Sequence, residues 1–203
     1  MIGILDYRCG NVMALLAAFG KIGVPAKLIT GPEELSTSTH IVVPGVGAFD
    51  HCCTLMEKAN FIQELNRLVL EERVPVLGIC VGMQMMFEGS DEGNLRGLGW
   101  LKGRVEHLVA TSREASLPVP HIGWNLSSTK SSRFVFGGEG IKDYFYFSHS
   151  YAVGASAEGV AAITKYGCDF ASVVHTNNIY GVQFHPERSH GPGLHLLKQF
   201  AAV

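Results

Sequence analysis

Val74–Phe87 reads VPVLGICVGMQMMF, and this stretch decides the fold. Pro75–Ile79 is a short, continuously apolar run, the signature of a strand buried on both faces. The apolar character continues past Cys80, but the spacing becomes helical. A strand therefore runs straight into a helix, with Cys80 at the junction. Gly78 and Gly82 flank it two residues away on each side. In a sharp strand-to-helix turn, side chains at those two positions would collide, which calls for glycine. The pattern G-x-C-x-G is the thiol counterpart of a nucleophile elbow. The first helical turn offers free N–H groups to a developing oxyanion and favours thiolate over thiol. A lone cysteine after a buried strand is more often a small core hydrophobe, so a second motif has to decide.

Working outward, the N-terminal half alternates strands and helices. Strands are expected at Ile2–Asp6, Pro25–Ile29 and His40–Pro44, with helices at Asn11–Ile22 and His51–Glu72. Strand–helix alternation implies an α/β fold: a mixed, mainly parallel sheet flanked by helices. Beyond Gly89 the texture changes to shorter strands at Arg104–Val109, Tyr144–Phe147, Val160–Tyr166 and Phe170–Thr176. Asn177-Asn178 tolerates positive φ and can join Phe170–Thr176 to Ile179–His185 as a hairpin. Gly193–Ala202 reads as a closing helix, and Thr111–Pro118 and Ser127–Ser132 as mobile loops. With 203 residues, no internal repeat and no linker, residues 1–203 read as a single domain.

Composition narrows the function classes. A formal net charge of −2 gives no electrostatic footprint for nucleic acid. No run of about 18 apolar residues exists, so no membrane partner is expected. The five cysteines are odd in number and contain no C-x-x-C pair, which argues against a disulfide framework or zinc site and for a reducing, cytoplasmic setting. His121 and His149 lack metal-ligand spacing, so no metal is expected. The methionines Met83, Met85 and Met86 read as core packing.

The deciding motif is Phe184-His185-Pro186-Glu187. Residues i and i+2 of a strand share a face. His185 and Glu187 can therefore act as base and orienter for a thiol, with Pro186 marking a strand end. Alone, this would be an ordinary ion pair. With Cys80 about a hundred residues upstream, it makes a Cys-His-Glu triad.

Those motifs, together with Asp6-Tyr7, Gly10-Asn11, Pro44–Phe49, Met83-Gln84, Pro120–Asn125 and Phe147–Tyr151, resemble the class-I (triad) glutamine amidotransferases, of flavodoxin-like fold. Within that family they are similar to the glutaminase subunit of imidazole glycerol phosphate synthase. The resemblance runs from Met1 to Phe200. It implies hydrolysis of glutamine to glutamate and ammonia, with no cofactor. It also implies a heterodimer partner, a (β/α)8 barrel cyclase/synthase of histidine biosynthesis that takes the ammonia and makes imidazole glycerol phosphate and AICAR. Val46 and Val81 N–H groups match the oxyanion hole. Gly45, Gly47, Gln84, Glu92, Ser150 and Tyr151 match substrate-binding positions, Gln84 and Glu92 at the α-amino and α-carboxylate ends of glutamine. Asn11, Trp124 and Arg188 match the partner-facing surface. Some residues depart from the usual pattern: Arg188 and His190 follow the triad, and Arg8-Cys9 stands where Gly-Met is frequent. Val81, Trp100 and His190 resemble a paralogous branch that supplies ammonia for surface-polysaccharide synthesis. A stand-alone cysteine hydrolase of the same fold is the remaining alternative.

Overall fold

The computed structural model describes residues 1–108, 117–129 and 140–203. The first half is built from Ile2–Leu5 (β1), Val12–Lys21 (α1), Ala26–Ile29 (β2), His40–Gly45 (β3), Phe49–Lys58 (α2), Phe61–Asn66 (α3), Val76–Cys80 (β4) and Val81–Gln84 (α4). The second half adds Gly89–Ser90 (β5), Arg104–His107 (β6), His121–Thr129 (β7), Lys142–His149 (β8), Tyr151–Val153 (β9), Val160–Tyr166 (β10), Cys168–Thr176 (β11), Ile179–Val182 (β12) and His190–Phe200 (α5).

A nine-stranded sheet runs in the order β2-β1-β3-β4-β12-β11-β10-β7-β8. The block β2-β1-β3-β4-β12 is parallel, and the rest extends it antiparallel. β4 is buried at every position, as its continuous apolar run requires. Parallel strands β3 and β4 end together, with Gly45 paired to Cys80. β12 runs alongside β4 as far as Val182, which carries the following residues to the same edge. The three segments that matter for chemistry thus leave the sheet at one end, where open α/β sheets place their ligands. A small second sheet, β5-β6-β9, stands beside that edge.

Several expectations change in detail. The single helix expected over His51–Glu72 is broken at Asn60, which sits in the left-handed region at φ 58°; asparagine tolerates that conformation locally. The chain then ends its helical path in a wider turn over Arg67–Glu71. Ser127–Thr129, expected within a mobile loop, continue β7. The buried Ser127 hydroxyl pairs with that of Ser172 at 2.7 Å, and Thr129 donates its hydroxyl to the Ile141 carbonyl at 3.3 Å. Ser131, Ser132 and residues 111–116 lie outside the described residues, as does Val109. The Asn177-Asn178 turn joins β11 to β12 with Thr176 opposite Ile179 and Asn177 at φ 55°.

Cys9 and Cys52 are paired as a disulfide, with their Cα atoms 6.1 Å apart. An odd cysteine count does not exclude one such link, because α2 packs Cys52 beside the loop that follows β1.

Candidate active site

Cys80 sits at φ 55° and ψ −112°, a conformation that non-glycine residues reach only when their surroundings impose it. The two flanking glycines let those surroundings close in. A Cβ on Gly78 would lie 2.7 Å from the Met83 backbone, and one on Gly82 would lie 1.9 Å from the Val43 carbonyl oxygen. Gly45 has the same constraint from the other side, 2.5 Å from the Gly82 nitrogen. These contacts press the end of β3 against the elbow. The helix after Cys80 is only the four residues of α4. The macrodipole expected there therefore reduces to the free N–H groups of one turn.

His185 reaches the sulfur from just beyond the end of β12. Its Nδ1 lies 3.0 Å from Glu187 Oε1, which leaves Nε2 for the Cys80 side. The two residues do not share a strand face as expected. β12 ends at Val182, and Pro186–Arg188 form a 3-10 turn. The turn brings the carboxylate back under the imidazole. Ser189 locks this turn, donating its Oγ–H to the His185 carbonyl at 2.6 Å and accepting the Tyr146 N–H at 3.0 Å. Burial alone would pull the His185 imidazole down. Its hydrogen bonds and charge interactions with the Cys80 sulfur and Glu187 outweigh burial and hold it up at about 10. A protonated imidazole beside the sulfur is the partner a thiolate needs.

A cavity of about 580 Å³ opens over this group. Cys80, Val81, His185 and Glu187 line it, with Val46 and Gly47 on the oxyanion side and Gln84, Glu92, Ser150 and Tyr151 opposite. Asn11 and Arg188 are at its rim. Of the expected substrate positions, Gly45 alone does not line the cavity; it is the close-approach residue beneath it. Tyr7 donates its hydroxyl to the Pro44 carbonyl, and the Val46 carbonyl oxygen lies 3.1 and 3.4 Å from the sulfurs of Cys9 and Cys52. The Tyr7 hydroxyl thus fixes the carbonyl that precedes the Gly45–Val46 peptide.

The polar groups opposite already have partners of their own. Glu92 already accepts the Phe49 N–H at 2.9 Å, and a carboxylate suits an ammonium group, not a carboxylate. Gln84 directs its amide nitrogen to the Tyr151 carbonyl at 2.8 Å and to Gln183 Oε1 at 3.0 Å, so only its oxygen remains for a ligand. The carbonyls of Ser150 and Tyr151 are likewise engaged, the former by the Leu108 N–H. His149 also lines the cavity and donates Nδ1–H to the Tyr151 carbonyl at 2.9 Å. Its Nε2 then accepts from His121 Nδ1 at 3.0 Å. Burial holds His149 down at about 3 and His121 at about 4, which keeps both neutral. Trp124, the third partner-facing position, is 47% exposed outside the cavity. It stacks on His190 at 5.4 Å, beside Tyr146, over which the Arg188 guanidinium lies at 4.2 Å. Trp100 is remote in role: its indole N–H donates to Asn66 Oδ1.

Sequence reasoning missed Tyr7, His149 and Gln183. Gln183 carried a readable signal, since Gly181, Gln183 and His185 alternate at the strand period.

A thiol at a strained elbow, an imidazole held by a carboxylate and an enclosed polar cavity define a cysteine-dependent hydrolase or transferase. The family model for glutamine amidotransferase class-I matches residues 4–203, and the chain belongs to that family. It is similar to the imidazole glycerol phosphate synthase subunit HisH of Bdellovibrio bacteriovorus, at 40% identity over 100% of both chains. The subunit of the same name from Desulfitobacterium hafniense is 42% identical over 98% of this chain and 93% of that one. Among solved structures, a glutamine amidotransferase superposes with a TM-score of 0.75 at 20% identity, covering 100% of this chain and 99% of that one. PurLQS from Thermotoga maritima superposes at 0.73 and 15% identity, covering 99% and 97%. Both share the fold. Among the described residues, no helix is long and apolar enough to cross a membrane.

Proposed function

We propose that this chain, as one glutamine amidotransferase domain, is the glutaminase subunit of an imidazole glycerol phosphate synthase. The observation that carries the chemistry is the elbow cysteine at φ 55° with His185 and Glu187 beside it in one cavity. The Cys80 thiolate attacks the side-chain carboxamide of glutamine, and the oxyanion is received by the N–H groups of Val46 and Val81. His185 gives its proton to the departing ammonia, then takes one from the water that opens the thioester. Glu187 holds the imidazole with Nδ1 protonated. The substrate ammonium is held by Glu92 and the Gln84 oxygen.

The choice of partner rests on the relatives named for that subunit, which match over the full length of both chains. Ammonia released into neutral water is mostly ammonium and loses its nucleophilicity, so a synthase must cap the cavity. Trp124, Tyr146, His190 and Arg188, beside the rim residue Asn11, offer the aromatic and arginine chemistry common at binding hot spots. Docking there also gives a route for coupling. The Gly45–Val46 peptide can take either orientation at low cost because Gly45 carries no Cβ. A partner that favours the N–H-inward form restores a donor worth roughly 100- to 1,000-fold in rate.

The test is glutamine turnover by the chain alone, with a barrel cyclase, and with cyclase plus its acceptor nucleotide. Turnover is expected to be weak alone and strongest in the last case. Equal rates in all three would favour a stand-alone hydrolase. Activation only by a sugar-modifying synthase would move the chain to the surface-polysaccharide branch.

A further inference from the structure

A chain of hydrogen bonds reaches the nucleophile from behind, and its polarity is fixed at the far end. The Tyr151 main-chain carbonyl can only accept. It accepts from Gln84 Nε2 at 2.8 Å and from His149 Nδ1 at 2.9 Å. Gln84 must therefore turn its NH₂ end inward. The second N–H of that group points to Gln183 Oε1 at 3.0 Å. With its oxygen held there, Gln183 has no choice about its other end: its NH₂ faces Cys80 Sγ at 3.6 Å. Gln183 is wholly buried, at 0% exposure, and Gln84 nearly so. Water does not compete for the Gln183 amide, and flipping either amide would set donor against donor or acceptor against acceptor.

The second branch from Tyr151 reinforces the first. His149 Nδ1 must carry the proton it donates, so its Nε2 accepts from His121, and His121 Nε2 in turn accepts from Asn125 Nδ2 at 3.3 Å. Asn125 is oriented by its own oxygen accepting the Leu126 N–H at 2.8 Å. Both branches are consistent with one protonation state and one set of amide orientations. The Tyr151 carbonyl thus has both lone pairs engaged and cannot release Gln84.

We propose that Gln183 is a further catalytic residue of this site, its side-chain N–H stabilising the Cys80 thiolate in an orientation imposed through Gln84 by the Tyr151 carbonyl. Besides His185, the sulfur has two further partners of opposite kind. The Ser148 carbonyl, 3.9 Å away, can accept only from a protonated thiol. The Gln183 N–H can donate only to the sulfur lone pairs, and most strongly to an anion. The donor favours the thiolate before attack and again when the thioester is opened and the sulfur leaves as an anion. It has least hold on the neutral thioester. The inference deepens the glutaminase reading and rests on it for its catalytic meaning, but the contact itself can be tested without glutamine.

The experiment follows the rate of iodoacetamide labelling of Cys80 against pH, with the site assigned by peptide mass spectrometry, in the parent, Gln183→Leu and Gln183→Glu. Thermal unfolding reports on the fold. Losing one hydrogen bond to an anion is expected to slow labelling at neutral pH by roughly tenfold and move the profile to higher pH. In turnover it should lower kcat and leave the KM for glutamine near the parent value. Gln183→Glu should move the profile at least as far, because an ionised carboxylate opposes the thiolate. A buried residue that only fills space would change the unfolding temperature and leave the labelling profile in place; that result in either folded variant overturns the proposal. The parent supplies a measurement that needs no Gln183 variant. The Gln183 side-chain ¹⁵N resonance should shift over the pH range in which Cys80 becomes reactive, and this shift should vanish in Cys80→Ser. An unresponsive resonance also overturns it. A moved labelling profile in a protein that does not hydrolyse glutamine would instead leave the contact standing and remove the glutaminase reading.

Discussion

Gly82→Ala tests whether the elbow geometry comes from close packing of two backbones. The added Cβ would lie 1.9 Å from the Val43 carbonyl oxygen, 2.9 Å from its carbon and 3.1 Å from the Pro44 carbonyl carbon. Ordinary contact begins at 3.4 Å, so the end of β3 must retreat from α4 by roughly 1.5 Å (3.4 − 1.9). None of these obstacles is a flexible side chain. The retreat separates Val46 from Val81, the two N–H groups assigned to the oxyanion. Misplacement by about 1 Å costs on the order of 100-fold in rate, while overpacking costs about 1–3 kcal/mol in stability. Gly82→Ala should therefore fold, with a lowered urea midpoint, and lose about 100-fold or more in glutaminase turnover with the partner bound. Gly20→Ala in α1 is the control. Nothing lies within 4 Å of its added Cβ, so it should gain about 0.5–1 kcal/mol and keep full turnover. Near-parent turnover in Gly82→Ala would refute the reasoning.

Three further predictions concern the triad, the buried histidines and the rim. His185→Ala should cost far more turnover than Glu187→Gln, and the double variant should be little worse than His185→Ala alone, because the two act as a unit; additive losses would instead give Glu187 a separate role. His149 is held neutral in the fold at about 3 and is ordinary when unfolded, so the unfolded chain takes up the extra proton in acid. Its contribution to stability is complete above about pH 6.5 and is lost at up to about 1.4 kcal/mol per pH unit as pH falls toward 3. Urea unfolding between pH 7 and 4 reads this slope, and His149→Gln should flatten it. Trp124→Ala should weaken partner binding by about 2 kcal/mol or more in calorimetry and leave turnover by the isolated chain unchanged; unaltered affinity would remove Trp124 from the interface.

Much of this site was legible because period and turn chemistry leave marks in a sequence. The short apolar run Pro75–Ile79 has the length and continuity of a strand buried on both faces, and the glycines around Cys80 are positions where a Cβ meets backbone. The residues of the candidate triad were picked out by the same marks, although His185 and Glu187 are joined by a 3-10 turn and not by a strand face. What stayed hidden depends on contacts between distant segments. Nothing near Tyr7 reveals that its hydroxyl will hold the Pro44 carbonyl. The spacing of His121 and His149 excludes a shared metal motif but says nothing of a neutral pair bonded across two adjacent strands. The break at Asn60 was missed because the apolar spacing continues across it. Only a left-handed residue at that point, set by how α2 and α3 pack, interrupts the helix.

The central claim is that Cys80 attacks glutamine and carries the acyl group. The direct measurement is acid quenching of the chain during turnover of glutamine with the proposed barrel partner, followed by peptide mass spectrometry. The account predicts a γ-glutamyl thioester on Cys80, absent in Cys80→Ser. Sustained glutamate production with no adduct on Cys80, or with undiminished rate in a folded Cys80→Ser protein, would contradict it.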